Sequence, residues 1–181
     1  MNSHKENPIA VQSKQWILSA LLSLMEEKDF ALITITELTK RADLDRKTFY
    51  RNFHSKEDVI SLKIEELCQL YIEKLQTLSS ISAYTFSKAY FEICISNRDF
   101  LSLLNRHNLL PLALLKFDEY LPVLNDLFLS NPKYRNKSKY ELVYQAGGFW
   151  NVTIRWLKDG GIESAEELAQ IMDTIMPSPL K

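Results

Sequence analysis

Glycine is nearly missing from this chain of 181 residues, which holds only Gly147, Gly148, Gly160 and Gly161. A phosphate-cradling P-loop and a dinucleotide-binding turn each need glycines at fixed spacing ahead of a helix. Neither can be written here, which excludes the commonest nucleotide-dependent enzymes. Cysteine is rarer still, and Cys68 and Cys94 lie too far apart for a Cys-x-x-Cys pair. With no disulfide framework and no zinc spacing, a reduced, cytoplasmic protein is expected. No apolar run reaches the length of a membrane span and no signal segment is evident, so no membrane partner is expected. An excess of one charge is missing too: 22 basic residues stand against 23 acidic, a net charge of −1. A general nucleic-acid coat is excluded, and any contact with phosphates must come from a local patch.

What the chain does have is hydrophobic residues, 46% of the total, recurring at intervals of three and four. That period belongs to amphipathic helices, so the expected fold is all-α. The length suits a small domain joined to a larger one. Residues 1–12 are polar, contain Pro8 and show no period, and read as a flexible arm. Ser13 is the expected cap of a first helix whose Ile17, Ala20, Leu21, Leu24 and Met25 form one stripe.

The most informative stretch runs from Thr34 to Asp58. Thr34 and Glu37 have capping-box spacing, so a helix should start at Ile35 and turn Leu38 and Ala42 inward. Asp43-Leu44-Asp45 follows as a turn, with Leu44 dropping into the core and Asp45 capping the next helix. That second helix, Arg46 to Phe53, buries Phe49 and Phe53 and leaves Arg46, Lys47, Tyr50, Arg51 and Asn52 outside. From Lys40 to Lys56 six bases stand against two acids. Two short helices joined by a tight turn, with cations on the second, form a helix-turn-helix suited to a DNA groove.

At these residues the chain resembles the N-terminal domain of TetR-family transcriptional regulators. The resemblance rests on Thr34-Ile35, Leu38, Ala42, Thr48-Phe49-Tyr50, Phe53 and Lys56-Glu57-Asp58. Two residues depart from the family pattern: Asp43 stands at the usual turn glycine, and Asp45 where a serine or threonine is common. Aspartate tolerates left-handed backbone angles, so the turn should survive. The resemblance implies a ligand-responsive regulator, a repressor by preference, that binds double-stranded DNA at a palindromic operator as a homodimer. It implies three parts: the arm, a DNA-binding domain over 13–56, and a helical bundle over 57–181 for effector binding and dimerisation. Arg46, Lys47 and Thr48 are then expected at base edges. Thr34, Thr36, Tyr50, Arg51, Asn52, His54 and Lys56 complete the DNA-binding set.

The rest of the chain reads as further helices. Ser55 and Asp58 open one that runs to about Leu78, with Val59, Ile60, Ile64, Leu67 and Tyr71 inward. Another spans Ser82 to Asn97, and Asp99 is the expected cap of the next. Pro111 and Pro122 should start or kink helices. Tyr90, Cys94, His107, Phe117 and Trp150 are candidates for an effector cavity between these helices. Residues 131–139 read as a loop, after which Ser138 and Glu141 open a helix to Lys158. That helix has two apolar stripes, one through Tyr140, Tyr144, Gly147, Trp150 and Ile154, the other through Leu142, Ala146, Phe149, Thr153 and Trp156. Two apolar faces need two partners, so a second copy is expected on one of them. Gly147, Trp150 and Ile154, with Leu168, Ile171 and Ile175 of the last helix, are the candidate dimer contacts.

Two rival readings stand beside this one. A small helical enzyme could use Glu65, Glu66, Cys68, Cys94 and His107, but no metal or nucleophile motif joins them. No catalytic residue, metal or cofactor is therefore assigned. A co-regulator acting through a protein partner fits the overall acidity and not the basic segment.

Overall fold

The helix starts show how closely local sequence is obeyed. In the computed structural model, which describes residues 8–129 and 139–175, the Thr34–Glu37 and Ser164–Glu167 boxes both close. Ser82 likewise opens its helix, with the Thr85 hydroxyl as its reciprocal partner. In each box the hydroxyl and the returning side chain satisfy backbone N–H groups that the first helical turn leaves unpaired.

The elements among the described residues are α-helical, apart from one short 3-10 turn, and no strand is present. They are α1 (Pro8–Glu27), the 3-10 turn (Phe30–Leu32), α2 (Ile35–Arg41), α3 (Arg46–Asn52) and α4 (Lys56–Gln76). Beyond these come α5 (Ala83–Ser96), α6 (Arg98–Arg106), α7 (Leu110–Leu129), α8 (Lys139–Lys158) and α9 (Ala165–Ile175). Two compact units result, the first ending at Lys63 and the second starting at Ile64. The division falls inside α4, beyond the expected boundary at residue 56.

The first unit packs α1, α2 and α3 around Ile17, Leu21, Met25, Leu38, Phe49, Val59 and Ile60, each at most 1% exposed. Helix α1 starts earlier than the sequence suggested. It begins at Pro8, where a residue without an N–H loses nothing in the first turn. Ser13 lies inside it, buried, and donates its hydroxyl to the Ile9 carbonyl at 2.7 Å instead of capping. A back-bonded serine mid-helix and an N-cap serine look alike in sequence.

The second unit holds an aromatic core in which Tyr71, Phe86, Tyr90, Phe91 and Phe149 meet edge to face or tilted, with centroids 5.0–5.9 Å apart. Asn97, not Asp99, precedes α6, and Asp99 sits in its first turn, where a carboxylate complements the helix dipole. Pro111 lies in the first turn of α7. Pro122 lies within that helix and does not start a new one, deleting one backbone bond on an exposed side. Helix α8 ends at Gly160 and Gly161, both with positive φ. Of the expected loop 131–139, Lys139 opens α8 instead, and residues 131–138 with the Ser138 cap lie outside the described residues, as does Pro177, the expected end of the last helix.

Candidate nucleic-acid interface

Helix α2 closes by a Schellman motif. Leu44 N–H donates to the Thr39 carbonyl at 2.9 Å and Asp43 N–H to that of Lys40 at 3.3 Å, with Asp43 left-handed at φ 53°. The aspartate thus takes the conformation for which glycine is preferred. Leu44 ends half-buried, short of the full burial its position suggested. The Asp45 carboxylate then accepts from Thr48 N–H at 2.6 Å, starting α3. That bond, followed by the Thr48 hydroxyl, holds the Asp45 carboxyl below its usual range.

Helix α3 is anchored by Phe49 and Phe53, both buried, and displays Arg46, Lys47, Tyr50 and Arg51 to solvent. The Arg46 guanidinium lies 5.8 Å from the Tyr50 ring centroid and 3.5 Å from its hydroxyl, and Tyr50 remains half exposed. Lys47 and Arg51 enter no ion pair among the described residues. Thr48 is half-buried, and Asn52 folds back to donate to the Thr48 carbonyl at 2.8 Å. Thr36 and His54 are exposed on α2 and on the link after α3. The Thr34 hydroxyl is spent in its capping box.

Two bases of the patch have structural work that the sequence did not reveal. Arg41 makes a bidentate pair with Glu27 of α1, at 2.7 and 2.9 Å, and donates to Ser23 at 2.7 Å. The Lys56 ammonium is surrounded by the carbonyls of Phe30, Ala31 and Ile33 and lies 4.5 Å from the centre of the Phe30 ring. Its three protons are thereby engaged, and Lys56 braces the first unit. A third brace joins Lys28 to Glu37, and with the Thr34 N–H it holds the Glu37 carboxyl down to about 2. These partners lie 9 to 26 residues apart, so no local pattern announces them.

In the second unit Tyr90, Cys94, Phe117 and Trp150 line one apolar cavity of about 60 Å³, together with Cys68 and Tyr71. His107 does not line it and is instead the C-terminal cap residue of α6. Burial pushes the thiols of Cys68 and Cys94 up to about 12. Glu65 pairs with Lys116 at 3.2 Å.

A model of the bacterial regulatory proteins of the tetR family matches residues 17–61, the segment that folds into most of α1, α2, α3 and the start of α4. Over these residues the chain is similar to the tetR family of regulatory proteins. An uncharacterized helix-turn-helix-type transcriptional regulator of Bacillus subtilis, YxbF, is 29% identical over 102 residues, which are 53% of this chain and 27% of that relative's length. The fatty acid degradation regulator FadR from Bacillus halodurans has a similar fold, with a TM-score of 0.64 at 19% identity, over 94% of this chain and 95% of that one.

In the second unit the two stripes of α8 part company. Ala146, Phe149, Thr153 and Trp156 are buried, whereas Tyr140, Val143 and Tyr144 are 72%, 56% and 81% exposed. Gly147 shares the outer side, with nothing within 4 Å of where a Cβ would stand. On α9 the exposed large hydrophobic residues are Ile171 and Ile175. Leu168, counted among the dimer contacts, is instead buried within the protomer, where α9 packs on α5. Trp150 and Ile154 are half-buried. No helix among the described residues is long and apolar enough to cross a membrane.

Proposed function

We propose that this protein is a homodimeric, effector-responsive DNA-binding repressor. The observation that carries the reading is α3. Asp45 and two buried phenylalanines fix this short helix, while Arg46, Lys47, Tyr50 and Arg51 stay free of the core, within the segment that matches the tetR family. Arg46 and Lys47, in its first turn, are assigned to base edges, where either can donate to the O6 and N7 acceptors of guanine. Thr36, Tyr50, Arg51 and His54 are assigned to phosphates, which set register without reading sequence.

Dimerisation is supported by the exposed tyrosines of α8 and the exposed isoleucines of α9. Paired apolar surface of that kind is costly to leave in water. A two-fold dimer brings two α3 helices to half-sites about 34 to 36 Å apart on a palindromic operator. Effector binding to the second unit shifts the population away from the DNA-competent dimer, provided the effector binds the two states with different affinity. Fluorescence anisotropy on duplexes tiled across the DNA flanking its own gene tests the reading. Binding to one duplex at least ~1,000-fold tighter than to random sequence supports it; equal affinity for all sequences at every salt concentration defeats it.

A further inference from the structure

We infer that the effector site takes an uncharged, apolar molecule carrying at most one acceptor oxygen, and that it rejects acids. The inference rests on the effector-binding part of the proposed function and adds the chemistry of the ligand. Its basis is the fate of each polar group around the cavity. Tyr71 donates its hydroxyl to the Phe86 carbonyl at 3.3 Å. The Tyr90 hydroxyl meets that of Thr153 at 2.9 Å, and Thr153 gives its own proton to the Phe149 carbonyl, so the phenol is the donor in that pair. Both phenol protons are thus spent inside the protein. No lysine, arginine or histidine lines the cavity.

Apart from two weakly donating thiols, the lining residue with an uncommitted donor is Trp150, whose indole N–H makes no hydrogen bond among the described residues. One such donor serves a hydroxyl, ether or carbonyl oxygen. It cannot neutralise a carboxylate withdrawn from water. Lys116, next in the chain to the lining residue Phe117, is held by Glu65 and Glu119 at 3.2 and 3.1 Å, a cluster of two carboxylates to one ammonium that disfavours acids. No aspartate or glutamate lines the cavity, so an ammonium drawn into it would leave water without a counter-ion. The cavity, about 60 Å³, is smaller than the ~150 Å³ apolar pocket that admits benzene. A ligand therefore enters by displacing the half-buried Phe117 or Trp150, which puts the reporter at the site.

Decanol, decanoate and decylammonium share one hydrocarbon chain and differ only in charge, so they test the inference on the full-length protein. Thermal shift and tryptophan fluorescence should rank decanol first, with decanoate and decylammonium each at least about tenfold weaker. Ala113→Leu and Cys94→Leu, which narrow the cavity, should abolish the decanol response. Should either variant fail to fold, a brominated decanol soaked into crystals of the native protein should place its halogen between Tyr90 and Trp150. Equal or tighter binding of either ion, binding of none of the three, or a halogen seated elsewhere overturns the inference. Operator release is scored separately: decanol held in the cavity without effect on DNA binding would leave this inference standing and remove the effector reading.

Discussion

Three backbone carbonyls and an aromatic face converge on one ammonium in the first unit, so Lys56→Ala should act on folding. Hydrogen bonds to charged groups contribute about 1.5–3 kcal/mol, and a loss of that order should show as a lower urea midpoint with an unchanged slope. Lys47→Ala should do the reverse. Its exposed side chain is in no ion pair among the described residues, so stability should change by less than about 0.5 kcal/mol. Discrimination between operator and random duplex should fall by about 1–3 kcal/mol in anisotropy titrations. Equal losses on both duplexes would remove Lys47 from the base-reading set.

Glu37 supplies a pH signature at the same scale. Its carboxyl is held down to about 2 in the folded protein, by Lys28 first and the Thr34 N–H second, against an ordinary value of 4.5. A group depressed on folding stabilises the native state above its unfolded value and ceases to as protons return. The contribution should therefore be complete above about pH 4.5 and fade from there down to about pH 2. Acid titration of Glu37→Gln, followed by circular dichroism, should lack that component. An identical acid limb in variant and parent would show that the Lys28–Glu37 brace contributes nothing.

At the scale of elements, the end of α8 and its outer face carry separate predictions. Gly161 has φ 60°, and a Cβ there would stand 3.0 Å from Arg98 Nε and 3.1 Å from the Trp156 ring. Gly161→Ala should destabilise by about 1–3 kcal/mol through left-handed strain and crowding, measured as a lower melting temperature. Tyr144→Glu, on the exposed stripe, should leave helix content intact and shift the sedimentation profile from dimer to monomer. A Tyr144→Glu protein that still sediments as a dimer would move the interface off this face.

For the whole molecule the readout is salt. Arg41 and Lys56 are committed to the protein, which leaves Lys40, Arg46, Lys47 and Arg51 as the exposed cations of the patch in each protomer. A dimer using most of these cations should make about 6–10 phosphate contacts and lose roughly 10³–10⁵ in affinity between 50 and 200 mM salt. A flat salt dependence would contradict an electrostatic footprint of this size.

Much of this was legible in the chain because the responsible interactions are local. The Thr34–Glu37 box, the Asp45 cap and the left-handed Asp43 each depend on partners within about one turn of helix, a span over which spacing and residue type suffice. The burial of Phe49 and Phe53 beneath an exposed cationic side follows from the helical period alone. Tertiary structure decided the rest. Whether a given lysine or arginine meets solvent or a carbonyl, as Lys56 and Arg41 show, depends on residues many positions away whose approach no local period encodes. Which stripe of α8 turns inward, why Leu168 is covered while Ile171 is not, and why His107 misses the cavity were likewise settled only when the helices packed. A period specifies the width of an apolar face, and only its neighbours determine what that face meets.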